Sequence, residues 1–376
     1  MCTSAQHNLA RWLVKVLEPV RCHLSKHTVK DSFDLVRQLS EPDLRSKNMA
    51  SFDIESLFTN VPLEETIRAI GMHVTSNAIP LPLPWSELEH LLLLCTKDVQ
   101  FQFDGEAYTQ VDGVAMGSPL GPLSADLFVS HMEMKIDELT SGDIFYRRYV
   151  DDILVLTDSE NQASDLLDKL NCCHRNLRFT MEMEKDDCLP FLDILLRRRP
   201  DGSLQRSVYR KPTWTGQYLR FDSFVPISYK RGLVRTLYDR ARRICSQETL
   251  QDEYDRLANV FQSNGYPDRF IRRYSRPQIP NDPIQQAESK AVFIRLPFRG
   301  DDVAAIVTKR LISAVKRVFY AANTVISYQT TPVPVRPIKD STPLSPRSHC
   351  IYQYSCGCGI SSRGYPSICR SGPAIT

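Results

Sequence analysis

The sequence predicts an α+β fold, an antiparallel sheet packed on helices and followed by an all-helical segment. Three observations carry this. Strand-like runs are joined by tight turns, 99–103 to 106–111 through Asp104-Gly105 and 144–150 to 153–157 through Asp151-Asp152. Beyond about residue 227 the apolar period turns helical, with Leu233, Val234, Leu237, Tyr238, Ala241, Ile244 and Cys245 on one stripe. Charge divides along the same line. Residues 1–196 carry a net −14, residues 197–276 a net +10 and residues 277–376 a net +7, within a total of +3.

The elements follow in order. Residues 8–20 read as an amphipathic helix ended near Pro19, and 49–54 as a short strand. Pro62 with Glu64 and Glu65 opens a helix at about residue 63, where a missing N–H and negative charge suit a first turn. Residues 86–95 form an apolar helix. The Gly/Pro-rich stretch 113–122 is a loop before a helix over 123–139. A helix over 160–175 is followed by strands near 177–183, 190–197 and 204–210. Helices then cover about 230–245 and 247–263, with a stop at Asn264-Gly265, and a short third helix follows Pro267. Residues 276–290 and the Pro-rich 331–346 read as linkers on either side of a basic amphipathic helix over 301–322.

Of the 376 residues, 42% are hydrophobic and 24% charged, values of an ordinary globular chain that exclude a disordered, collagen-like or coiled-coil protein. The longest aliphatic run, Leu91 to Leu94, is far too short to span a membrane, and no membrane association is expected. Residues 1–30 lack the pattern of a secretory leader, so the 11 cysteines are expected to be reduced. Four of them, Cys350, Cys356, Cys358 and Cys369, crowd the tail at a spacing that fits no standard zinc pattern well.

An acidic half joined to a basic one suggests catalytic carboxylates beside a surface for a polyanion. Asp151 and Asp152 sit at a hairpin tip between apolar runs. Like charges this close raise each other's pKa unless a cation intervenes. A strand bringing Asp53 alongside would complete an all-oxygen site suited to Mg2+. Alone, Asp-Asp is an ordinary polar turn. With Asp53 before it and Gly117-Ser118-Pro119 between, the order and spacing point to nucleotidyl transfer.

Phe-Asp-Ile-Glu-Ser-Leu-Phe-Thr-Asn-Val-Pro (52–62), Gly-Val-Ala-Met-Gly-Ser-Pro-Leu-Gly-Pro (113–122) and Tyr-Val-Asp-Asp (149–152) resemble motifs A, B and C of a reverse transcriptase. The nearer resemblance is to the enzymes of Penelope-like retroelements. It is carried also by Leu189-Pro-Phe-Leu-Asp193, by Val208-Tyr-Arg-Lys-Pro-Thr213 with Tyr218-Leu219, and by the helix from Lys230 to Cys245. Ile351-Tyr-Gln-Tyr-Ser-Cys-Gly-Cys-Gly-Ile-Ser-Ser-Arg-Gly364 is similar to the opening of a GIY-YIG endonuclease domain. Its second half-motif reads Ser362-Arg363-Gly364 rather than Tyr-Ile-Gly, so no nuclease activity is expected.

The resemblance implies residual fingers and palm-entry helices at 1–48, a palm at 49–205, a helical, helix-turn-helix-like thumb at 206–276, a connector at 277–346 and a truncated nuclease remnant at 347–376. Only the end of the fingers is expected, since Met1 lies 52 residues before Asp53. Asp53, Asp151 and Asp152 would be the catalytic carboxylates. Asp53 and Asp151, helped by the Ile54 carbonyl, would be the main ligands of two Mg2+ ions, with deoxynucleoside triphosphates as substrates. Phe58 would stack under the incoming sugar and exclude a 2′-hydroxyl, or else be a core aromatic. Gly117, Ser118 and Pro119 would line the template and the nascent pair. Lys185 would protonate the leaving pyrophosphate, though its charged surroundings favour a solvated loop instead. Arg210, Lys211, Trp214, Tyr218, Lys230, Arg242 and Arg243 would hold an RNA template and DNA primer, or their hybrid duplex. The implied activity is RNA-directed DNA synthesis in the nucleus, with no protein partner. The alternatives are a catalytically silent nucleic-acid-binding fragment and a helix-turn-helix DNA-binding protein.

Overall fold

The fold was taken from a computed structural model, which describes residues 6–40, 47–97, 99–103, 106–110, 112–115, 117–137, 144–277, 291–319, 323–330, 352–355 and 361–364. In chain order the elements are α1 (Gln6–Val16), α2 (Glu18–Leu24), α3 (Ser32–Gln38), β1 (Asn48–Ile54), α4 (Leu57–Asn60), α5 (Leu63–Ser76), α6 (Trp85–Thr96), β2 (Gln100–Phe103), β3 (Glu106–Thr109) and α7 (Leu120–Asp137). Then come β4 (Phe145–Tyr149), β5 (Asp152–Thr157), α8 (Glu160–Cys173), β6 (Phe179–Met183), β7 (Cys188–Phe191), β8 (Ile194–Arg198) and β9 (Leu204–Val208). The remainder is α9 (Ile227–Ile244), α10 (Gln247–Ser263), α11 (Asp268–Tyr274), β10 (Ala291–Pro297), α12 (Asp301–Val318), β11 (Asn323–Gln329), β12 (Tyr352–Ser355) and β13 (Ser361–Gly364). The chain forms two compact units, the first essentially 1–280 and the second mainly 281–376.

The first unit is built on an antiparallel sheet ordered β4-β5-β1-β6. It is buried on both faces, which explains why Ile153 to Leu156 is a solid apolar run rather than an alternation. On one face Phe52, Ile54, Ile153 and Val155 pack against Ala125, Phe128 and Met132 of α7 and Leu166 and Leu170 of α8. On the other, Met49, Leu154 and Leu156 meet α3, the meander β7-β8-β9 and Ile244 of α9. Helices α1, α2, α5 and α6 form a further core with α7. Helices α9 to α11 enclose their own, around Val234, Tyr238, Leu257, Phe261 and Ile271.

Three elements differ from expectation. Pro19 does not end the first helix; it lies in the first turn of α2, where its missing N–H costs nothing. The expected strand 190–197 is two, β7 and β8, reversed at Leu192-Asp193 with Leu192 at φ 53°. The loop before α7 is shorter, because Gly121 and Pro122 are absorbed into the helix. The linkers at 278–290 and 331–346 and the four tail cysteines lie outside the described residues.

In the second unit β10 and β11 are parallel neighbours, joined through α12 as a βαβ crossover. The Tyr328 hydroxyl donates to the Ala304 carbonyl at 2.8 Å, placing that face of β11 against α12. β12 and β13 pair as a short antiparallel hairpin. Among the described residues no helix is long and apolar enough to cross a membrane.

Candidate active site

The site is assembled by strand register. β1 and β5 run antiparallel with Asp53 directly opposite Asp152, so the two side chains leave the same face of the sheet. The β4–β5 turn has two residues, Val150 and Asp151, and Tyr149 pairs with Asp152 across it. The Ile54 N–H donates to the Asp151 carbonyl at 3.1 Å, which fixes the hairpin tip against the end of β1. The three carboxylates thus meet at one end of the sheet. Val150 has φ 56°, a left-handed conformation that a β-branched residue holds only when its surroundings impose it.

Charge within the group is uncompensated. Burial, with Asp151 and Asp53 close by, pushes the Asp152 carboxyl up to about 6, against a smaller opposing effect of Lys211. Burial first, then Asp151, Glu55 and Glu182, raise Asp53 as well. Among the described residues no three His, Cys, Asp or Glu side chains form a ready metal cage. An open, all-oxygen donor set short of positive charge is nonetheless what Mg2+ takes, since it keeps waters and substrate phosphates as its other ligands. The donors fit the ion.

What imposes the tip is a group that the sequence pattern did not single out. Arg148 points inward from β4 and is fully buried. Its Nε donates to Glu133 Oε1 at 2.6 Å, and Nη2 to Glu133 Oε2 at 3.1 Å, Ser130 Oγ at 2.9 Å and Thr28 Oγ1 at 3.0 Å. Nη2 also lies 2.9 Å from Asp126 Oδ1, and Nη1 donates to the Val150 carbonyl at 3.2 Å. These contacts tie the tip to α7 and to the segment after α2. They keep the guanidinium charged, with its pKa raised by Glu133 and Asp126 against burial. The available signal was an arginine at an inward position of an apolar strand, where a lone charge would be prohibitive.

The remaining candidates divide. Phe58, in α4, packs partly buried at the edge of the sheet core, and its carbonyl accepts from Val114 N–H at 2.7 Å. Gly117 is exposed at φ 88° with open space around it. Ser118 is buried, its Oγ accepting from Leu120 N–H at 3.3 Å at the start of α7, with Pro119 between. Lys185 is a correction. Asp53 pairs with Thr180, and Lys185 lies five residues further along and beyond β6, about 16 Å away at strand rise, in a turn bridged to Cys188. It cannot serve the carboxylates as an acid.

Most of the cations assigned to nucleic acid have internal partners. Arg210 is paired bidentately with buried Glu253 and stacks on Trp214 at 4.7 Å. Lys230 is buried, donating to the Ser223 carbonyl at 2.8 Å. Arg242 is held by Asp239 and the Ser275 carbonyl. Arg243 lies over Phe33 at 3.4 Å. Tyr218 stacks on Phe261. Lys211 is the exposed exception, and it lines with Trp214, Tyr218 and Arg240 a cavity of about 390 Å³ between β9, α9 and α10.

Residues 217–276 match the animal helix-turn-helix domain. A search of curated proteins gives no match. Among solved structures, telomerase from Candida albicans with a fragment of telomeric RNA superimposes with a TM-score of 0.50 at 14% identity, over 73% of this chain and 48% of that one. Apo telomerase from Candida tropicalis gives 0.44 at 10% identity, over 71% and 49%. The Sicinivirus RNA-dependent RNA polymerase gives 0.41 at 13% identity, over 62% and 50%. The chain spans about half the length of these structures, and likeness at such identities concerns the fold alone. The sequence itself goes further: the reverse transcriptase (RNA-dependent DNA polymerase) family matches residues 2–191, the whole stretch that brings Asp53, Asp151 and Asp152 together, and the chain belongs to that family.

Proposed function

We propose that the chain is an RNA-directed DNA polymerase of the Penelope-like type, extending a DNA primer on an RNA template. The observation that carries this is the facing pair Asp53 and Asp152, with Asp151 tied by its carbonyl to Ile54. Asp53 and Asp151, helped by the Ile54 carbonyl, would hold two Mg2+ ions, which when bound favour attack by the primer hydroxyl and offset charge on the departing pyrophosphate. Asp152 adds negative charge beside them. The exposed backbone at Gly117 leaves room for the template strand, and the partly exposed ring of Phe58 would meet the sugar of the incoming deoxynucleotide. Lys211, whose charge reaches Asp152, would meet primer phosphate. The hairpin of β12 and β13 covers the segment similar to a GIY-YIG opening and would be its remnant. The proposal extends to action in the nucleus.

Primer extension with Mg2+ tests the proposal. Incorporation of deoxynucleotides on an RNA template that disappears in Asp151→Asn supports it; none from the unmutated chain sinks it. The helix-turn-helix match over 217–276 favours a second reading, a nucleic-acid-binding protein without synthesis. That reading calls for salt-sensitive binding with no incorporation.

A further inference from the structure

Three arginines of the helical region converge on one ring. The guanidinium carbons of Arg231, Arg235 and Arg273 stand 5.9, 5.2 and 5.5 Å from the centre of Tyr274. None has an ion-pair partner among the described residues, and the Arg231 Nε is buried with no acceptor. The lack of an ion pair, though not the orphaned Nε, which Arg240 shares, contrasts with Arg210, Arg240 and Arg242 in the same region, each matched to a carboxylate. The end of α11 is a favourable place for Arg273, and stacking on Tyr274 suits all three. Neither supplies the missing negative charge, nor an acceptor for the orphaned N–H.

The cluster also faces away from the sheet. At 100° per residue, Arg231 and Arg235 lie about 40° apart on α9, and Arg240 lies about 180° round from Arg231. Arg240 is the residue that pairs with Asp193 of the β7–β8 turn at 2.6 Å, and Ile244, close to it on the wheel, is buried in the core with β7 and β8. Arg242, on the Arg231 side, instead reaches the Ser275 carbonyl. The three arginines therefore occupy the outer face of α9 and α11, opposite the face that docks on the palm.

We propose that Arg231, Arg235 and Arg273, set around Tyr274, form a second nucleic-acid site that grips backbone phosphate of a duplex lying outside the palm. This rests on the reading of the chain as a nucleic-acid enzyme, and adds a contact that synthesis itself does not require. Phosphate fits the observations because it offers several acceptor oxygens to several guanidiniums at once. A run of phosphates also matches the +10 net charge of residues 197–276.

The test is fluorescence anisotropy with a labelled blunt DNA duplex of about 20 base pairs, in EDTA, across a salt series. R231Q/R235Q should weaken binding at least tenfold and flatten the slope of log affinity against log salt by one to two. R273E should weaken it at least tenfold, and because Arg273 is exposed this variant reports even where the double variant melts early. R231K/R235K should recover most of the affinity. Equal affinity and slope in R273E and the unmutated chain would overturn the site, as would displacement of the duplex by polyglutamate at matched charge concentration. Primer extension by the unmutated chain is scored separately. Loss of binding in the variants upholds the site whether or not extension occurs, while extension with unchanged duplex binding removes the site and leaves the polymerase reading in place.

Discussion

Two regions of the same hairpin treat charge in opposite ways. Just before the turn, Arg148 is sealed inside and every direction of its guanidinium meets an acceptor: Glu133, Asp126, Ser130, Thr28 and the Val150 carbonyl. Just after the turn, Asp152 faces Asp53 of the neighbouring β1 with no ion-pair partner among the described residues, and both carboxyls are pushed upward. The arginine is complete without a ligand and the carboxylates are not. Charge that a fold satisfies internally serves position; charge that it leaves unsatisfied is available to a ligand. The basic helical region repeats the division, with Arg210 closed on Glu253 and the arginines around Tyr274 left open.

The contrast can be broken from either end. The largest effect expected is on synthesis: Asp151→Asn should lower incorporation at least a hundredfold, with urea unfolding little changed. A comparable loss of stability would mean that the tip is structural after all. Next, Arg148→Met should destabilise by about 3–5 kcal/mol in urea, because Glu133 and Asp126 lose the charge that justifies their burial. A loss under about 1 kcal/mol would show the Arg148 cluster to be no more integral than a surface ion pair.

Asp152→Asn should act in the other direction and stabilise the metal-free protein. A carboxyl held near 6 in the fold but ordinary when unfolded costs stability above pH 6, and the cost fades as pH falls from 6 toward 3.8. Since the group is half exposed, solvent screening reduces the effect to about 1–2 kcal/mol at pH 8. Thermal melts in EDTA at pH 8 and pH 4 should show the gain at the first and little at the second. Adding Mg2+ should narrow that gain, because the ion offsets the like charges that raise the Asp152 carboxyl. The smallest effect is at Arg243→Ala, which gives up the contact with Phe33 and should cost about 0.5–1 kcal/mol. If instead it flattens the salt dependence of hybrid binding without loss of stability, Arg243 belongs with the open charges and not the closed ones.

How much of this could be read beforehand follows from the range of each signal. The Asp53 strand, the 113–122 loop and the Asp151-Asp152 turn were legible because each is a local pattern: an apolar run, a Gly/Pro break, a two-residue reversal. Helix α10, from Gln247 to Ser263, ended where Asn264-Gly265 said it would. The partners of the cations were not legible. Arg210 and Glu253 are 43 residues apart, and Arg148 and Thr28 are 120 apart. Nothing in the local pattern distinguished Arg242, which is held by its neighbours, from Arg235, which is not. The place of Lys185 was not legible for the same reason, since its local sequence says nothing about which end of β6 comes to lie beside Asp53.

By itself, then, the sequence determined the order of elements, the three carboxylates as candidates and the polarity of the two halves, because strand and helix periods, turn chemistry and composition act over a few residues. Only the tertiary structure decided which charges are spent inside the molecule. Strand register set Asp53 against Asp152, and burial with its hydrogen-bond requirement drew Arg148 to Glu133 and Arg210 to Glu253. Those pairings depend on where distant segments come to rest, and they separate the arginines that hold the fold from the few that remain for a phosphate.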